Sequence, residues 1–171
     1  MMKKLPYLLL LALFAMCKTP QTVFNSGNSE KKEEKKREES KIFFTEQTRN
    51  DFRSVSESVQ KKFLQDYKAS EKQYSILFFT QGYYGEVITV KNNGETLYKD
   101  MVTTDKNSGL AKNMRILNTV ETSIYDQATK KTIYIDSEKA MKHKFIYVMK
   151  DLSSEDKPYK ITYSDKLRPA K

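Results

Sequence analysis

Between Asn50 and Ala69 the apolar residues Phe52, Val55, Val59, Phe63 and Tyr67 recur at intervals of three, four, four and four. That spacing keeps one face of a helix apolar, so it predicts an amphipathic helix with Thr48, Asn50 or Asp51 as its cap. From Tyr74 onward the period changes to two, and Ile, Val, Tyr, Phe and Thr dominate. Such residues suit a pleated, half-buried surface. The pattern predicts strands at 75–80, 86–91, 96–103, 113–118, 120–126, 132–136, 144–150 and 159–164. Their alternation is clearest at Val87-x-Thr89, Ile133-x-Ile135, Phe145-x-Tyr147-x-Met149 and Ile161-x-Tyr163. Asn93-Gly94 sits between two of these runs, and both residues tolerate positive φ, as a type I′ hairpin turn requires. Residues 126–131 offer a second, longer turn. Seven or eight short strands with tight connections predict a mainly β fold, a small antiparallel β-sandwich or barrel with one N-terminal amphipathic helix. The tail from Leu167, with Arg168-Pro169, is expected to fray.

Ahead of this domain lies a different pattern. Met1-Met2-Lys3-Lys4 is a cationic start, and Leu5–Met16 is an apolar run of 12 residues ending at Cys17. As a helix it would reach about 18 Å, short of the ~30 Å hydrocarbon core of a bilayer. It therefore reads as the apolar core of a signal peptide. Phe14-Ala15-Met16-Cys17 resembles the lipobox of bacterial lipoprotein precursors. Ala15 fits that pattern, while Phe14 and Met16 stand where Leu and a small residue are usual, as in the looser lipoboxes of some Bacteroidota-like lineages. The resemblance covers about the first 20 residues. It implies diacylglycerol on the Cys17 thiol, cleavage before Cys17 and attachment of the chain to the cell envelope, at the outer membrane, through lipid. Residues 18–41 hold Thr-Pro-Gln-Thr, Asn-Ser-Gly-Asn-Ser and a run of Glu and Lys, with too little apolar surface to offset the entropy of ordering. The expected organisation is a signal peptide over 1–16, a lipidated Cys and disordered charged tether over 17–41, an amphipathic helical segment over 42–73 and a β-sandwich over 74–171.

Composition narrows the chemistry. The 171 residues contain one Cys, one His and no Trp, so no disulfide framework and no zinc site built from several Cys or His ligands is expected. No cofactor or metal is implied. His143 lies between Lys142 and Lys144, a poor setting for a general base, and no Ser occupies a nucleophile motif. Carboxylates remain the one credible catalytic class, since a glycosidase needs only two at a suitable separation. Glu86, Asp100, Glu121 and Asp136 are the strand-associated examples. With no catalytic constellation visible, the chain reads as a non-catalytic binding or structural module. The alternative is a carboxylate-dependent hydrolase of a cell-wall or capsule polymer.

Charge changes the picture only modestly. The precursor carries +9 and the form cleaved before Cys17 would carry +7. That excess divides as +2 in the tether, +1 in the helical segment and +4 in the β domain, with no basic stripe of the kind nucleic acid requires. An anionic envelope polymer or another envelope protein is the expected partner, besides the membrane that would hold the lipid. Lys139, Lys142 and Lys144 are the local concentration of positive charge. Gly82-Tyr83-Tyr84-Gly85 supplies two adjacent aromatics between glycines, and Tyr83 and Tyr84 are the candidate stacking faces for a ligand.

Overall fold

Residues with branched or aromatic side chains and strict alternation form strands wherever one face meets a core, and all eight expected strands are present within one or two residues of their expected ends. The structure is a computed structural model and describes Glu34, Lys35, Glu38, Glu39 and residues 41–169. The expected signal peptide and the candidate lipidation residue Cys17 lie outside the described residues, as does most of the expected tether. Along the chain the elements are β1 (Phe44–Thr48), α1 (Glu57–Asp66), β2 (Tyr74–Phe79), β3 (Tyr84–Asn92), β4 (Glu95–Thr103), β5 (Lys112–Leu117), β6 (Thr122–Asp126), β7 (Lys131–Ile135), the short α2 (Ser137–Ala140), β8 (Phe145–Lys150) and β9 (Tyr159–Ser164).

The protein is mainly β and folds as a sandwich-like pair of sheets. One sheet has the order β1-β9-β8-β2-β5, the other β4-β3-β6-β7. The second sheet is wholly antiparallel. The first is mixed, because β1 runs parallel to β9 and β2 parallel to β8. Between the sheets lie Leu77 and Phe79 of β2, Ile146 and Val148 of β8, Ile161 and Tyr163 of β9, facing Ile88 and Val90 of β3, Ile124 of β6, and Ile133 and Ile135 of β7. The inward positions of β3 are thus Ile88 and Val90, while Val87 and Thr89 of the expected alternation face outward. Asn93 and Gly94 adopt φ of 54° and 78° and close the β3–β4 hairpin as expected.

Strand β8 is buried on both faces, which explains why its sequence is almost continuously apolar. Phe145 and Tyr147 point away from the second sheet and meet α1, whose Phe63 stacks on Phe78 with centroids 5.9 Å apart. Helix α1 begins later than its apolar pattern suggests. Ser56, rather than Thr48, Asn50 or Asp51, is the cap and accepts from the Val59 amide. Phe52 and Val55 still pack with the helix stripe, from extended chain. Residues 44–48, placed in the helical segment by the sequence reading, form an edge strand instead. Their pairing partner, β9, is more than a hundred residues away, so no local signal announces it.

The tail does not fray as expected. Leu167 is buried, its carbonyl accepts from the Val55 amide at 3.0 Å and its amide donates to Gln60 Oε1 at 3.0 Å. The apolar face of α1 and the tail bury each other, which local composition could not reveal.

Candidate functional site

Two places concentrate chemistry. The first is at the end of the sandwich where β3, β6 and β8 each finish an inward-facing row with a charge. Ile88 is preceded at the same face by Glu86, Ile124 is followed by Asp126, and Ile146 and Val148 are followed by Lys150. Lys150 Nζ lies 2.6 Å from Glu86 Oε1 and 2.8 Å from Asp126 Oδ2, and its side chain is 1 % exposed. Tyr159 donates its hydroxyl proton to Asp126 Oδ2 at 2.7 Å and shares a 2.6 Å hydrogen bond with Thr129 Oγ1. Asp126 Oδ1 accepts from the amides of Ala128 at 2.8 Å and Thr129 at 3.3 Å. Burial pushes the Asp126 carboxyl up, but the hydrogen bonds from Lys150 and Tyr159 outweigh it and hold the group below its ordinary value. For Lys150 burial works downward, and the bonds to Asp126 and Glu86 carry the ammonium above its ordinary value. Desolvation pushes the phenols of Tyr159 and Tyr83 far up. The Tyr83 hydroxyl is buried with no hydrogen-bond partner among the described residues.

The second place is a groove of about 360 Å³ on the outer face of the first sheet, between α1, the loop at Ser108–Leu110 and the tail. Its walls are mainly apolar, with Val59, Phe63, Leu110, Met149 and Pro169 among them. Arg168 stands at this groove with its guanidinium carbon 4.3 Å from the ring centroids of both Phe52 and Tyr147. Its Nε is buried without a partner, and no carboxylate among the described residues pairs with it. Burial pulls this guanidinium below its ordinary value. Tyr147 anchors the arrangement by donating to the Lys166 carbonyl at 2.9 Å and accepting from the Arg168 amide at 3.0 Å.

The chain matches no known protein family, no curated protein and no solved structure.

The residues expected to contact a ligand do not converge. Tyr83 is in the core, edge-on to Phe79 at 5.5 Å, and so is not available as a stacking face. Its neighbour Tyr84, the first residue of β3, is 76 % exposed. Lys139 is bound to Glu46 and lies 3.7 Å from Asp136. Lys144 is spent on backbone carbonyls: Ala69 and Tyr74 at 3.0 Å each, Ser70 at 3.4 Å, and Glu71. It thereby ties the chain after α1 to the start of β8. Lys142 alone of the three is exposed without such a tie. Lys144 precedes β8, whereas Tyr84 lines a surface hollow with Lys150 at the far end of that strand. The two groups are therefore about 20 Å apart along β8.

The strand carboxylates are likewise dispersed. Glu86 belongs to the buried cluster, Asp100 accepts from the Met101 amide at 2.7 Å, and Asp136 caps α2 through the amides of Glu138 and Lys139. Asp136 lines a groove together with Glu46 and Glu138, where Lys139 bridges the first two. His143 is partly covered, its Nδ1 3.2 Å from both oxygens of Asp165. Lys150, Asp126, Tyr159 and Arg168 were not singled out by the sequence reading. A signal for the first two was present: a Lys and an Asp each fall on the inward phase of an apolar alternation, where a charge is costly unless paired.

Proposed function

We propose that this chain is a cell-envelope lipoprotein, anchored at the outer membrane through Cys17 and carrying its β-sandwich on a charged tether. Its domain acts as a non-catalytic binding module for an anionic, acyl-bearing envelope component of the lipopolysaccharide type. The anchor rests on the cationic start, the apolar run and the resemblance of residues 14–17 to a lipobox. The binding reading rests on one observation, the half-buried Arg168 guanidinium beside the rings of Phe52 and Tyr147, with no carboxylate partner among the described residues, at an open apolar groove. A partly buried cation without a carboxylate partner gains from an anion brought to it, and an anionic headgroup with an apolar chain answers both halves of that arrangement. The hydrolase alternative has less support, because Glu46 and Asp136 in the acidic groove are engaged with Lys139 and Glu86 with Lys150.

The test has two arms. Cys17→Ala is expected to abolish incorporation of labelled fatty acid and release the protein from the membrane fraction. Several acyl chains, each CH₂ contributing about 0.8 kcal/mol, otherwise make attachment practically irreversible. In the second arm, dodecyl phosphate below its micellar concentration is titrated against the protein, beside a dodecyl ammonium of equal chain length and lipopolysaccharide itself. The anion is expected to bind in preference to the cation, and Val59→Glu, at a half-exposed groove position, and Arg168→Gln should each weaken it. Equal binding of anion and cation, or affinity untouched by both substitutions, refutes the groove reading. Membrane attachment that survives Cys17→Ala refutes the anchor.

A further inference from the structure

We infer that Lys150 and Asp126 form a self-catalysed isopeptide bond that covalently joins the two sheets, with Glu86 as the proton relay. The chain has one Cys and so no internal disulfide, and this cluster is the place where a different staple is geometrically prepared. Lys150 belongs to β8 of the first sheet and Asp126 to β6 of the second. Their Nζ and Oδ2 atoms lie 2.8 Å apart, in a site from which solvent is almost excluded. Such fixed approach of nucleophile and acyl group replaces the entropy that makes amide formation unfavourable in dilute solution.

Every group that condensation requires is present. Lys150 is the nucleophile, and Glu86 Oε1 at 2.6 Å is placed to take its proton. Asp126 Oδ1 already faces two amides, those of Ala128 and Thr129, which act as an oxyanion hole. Asp126 Oδ2, the oxygen that would leave, is held by the Tyr159 hydroxyl. Glu86 is itself oriented by the Tyr84 amide, which donates to its other oxygen.

The step balances without an oxidant or a co-reactant. The Lys150 ammonium passes one proton to Asp126 Oδ2, and the freed lone pair forms a bond to Asp126 Cγ. Negative charge gathers on Oδ1 against the two amides. Glu86 then takes a second proton from the nitrogen and returns it to the Oδ2 hydroxyl. The Cγ–Oδ2 bond breaks, and one water leaves. An ion pair becomes a neutral amide, and Glu86 ends as it began. The hollow lined by Gly82, Tyr84 and Lys150 reaches this end of the sandwich and gives the water a route out. Replacing a buried ion pair by an amide also removes two desolvated charges from the core.

The full chain, purified in detergent, denatured and digested with trypsin, tests this. Crosslinked protein yields a branched product joining residues 116–130 to residues 145–160, because a modified Lys150 is no longer cleaved. That product is lighter by one water than its two parts, and fragmentation places the bond at Lys150 and Asp126. Glu86→Gln and Lys150→Arg are expected to lose it. Asp126→Asn is expected to restore the same branched product with loss of ammonia, a rescue that a purely structural ion pair does not predict. The wild-type digest is decisive even where a variant fails to fold. Recovery of 116–130 and 145–150 as separate, unmodified peptides from folded wild-type protein overturns the inference, and a branch through Glu86 instead of Asp126 overturns the assignment of roles.

Discussion

Gly82→Ala is expected to destabilise the fold far more than Gly94→Ala, although both glycines have positive φ, 89° and 78°. At Gly94 an added Cβ meets nothing within 4 Å. The cost is then conformational, about 1–2 kcal/mol for a left-handed alanine, reduced by about 0.4–1 kcal/mol from the stiffer unfolded chain. The net loss should be near 1 kcal/mol. At Gly82 the same Cβ falls 1.8 Å from the Lys150 carbonyl oxygen and 2.7 Å from its carbon. A backbone carbonyl cannot swing aside as a side chain can. The Lys150 amide donates to the Gln81 carbonyl at 2.9 Å, so parting the two segments breaks that bond and strains the packing of Lys150 beside Glu86 and Asp126. Overpacking costs about 1–3 kcal/mol and the lost hydrogen bond about 1 kcal/mol, which with the φ cost gives about 3–5 kcal/mol. Urea unfolding of the chain from residue 18 onward reads the difference. With a slope of about 1–3 kcal/mol per molar, Gly94→Ala should lower the midpoint by roughly 0.5 M and Gly82→Ala by roughly 2 M. Equal midpoints for the two variants would show that the close approach of Gly82 to β8 contributes nothing.

Two further outcomes follow from packing and burial. Phe63→Ala removes a ring stacked on Tyr67 at 4.6 Å and packed on Phe78 and Phe145; because Phe63 is only partly covered, the loss in urea unfolding should be about 2–3 kcal/mol, at the low end for such truncations, and an unchanged midpoint would mean that α1 is independent of the sheet. Burial pushes the Tyr147 phenol up to about 12 from its ordinary 10.0. A raised folded value means that its stabilisation is whole below pH 10 and is lost as pH rises toward 12, a contribution of about 2–3 kcal/mol. The step of phenolate absorbance that Tyr147→Phe removes should therefore appear together with loss of the near-ultraviolet circular dichroism, and finding that step near pH 10 with the dichroism intact would contradict the burial of Tyr147.

The sequence by itself determined what short-range chemistry controls. Alternation of branched and aromatic residues set eight strands, and Asn93-Gly94 set the hairpin, because steric preference and turn geometry act within a few residues. The apolar stripe located α1 and the face it buries, though the folded chain shortened it: Phe52 and Val55 satisfy the same apolar surface from extended backbone, and Ser56 caps the first turn. Only tertiary structure decided which phase of an alternation points inward. That choice separated buried Tyr83 from exposed Tyr84, and it brought Glu86, Asp126 and Lys150 to one end of the sandwich from three strands. It also spent Lys144 on carbonyls after α1 and Lys139 on Glu46 of β1, lysines that in sequence look like a free basic cluster. Strand β1 and the docked tail belong to the same class, since their partners lie about a hundred residues away and no local preference encodes a pairing at that distance.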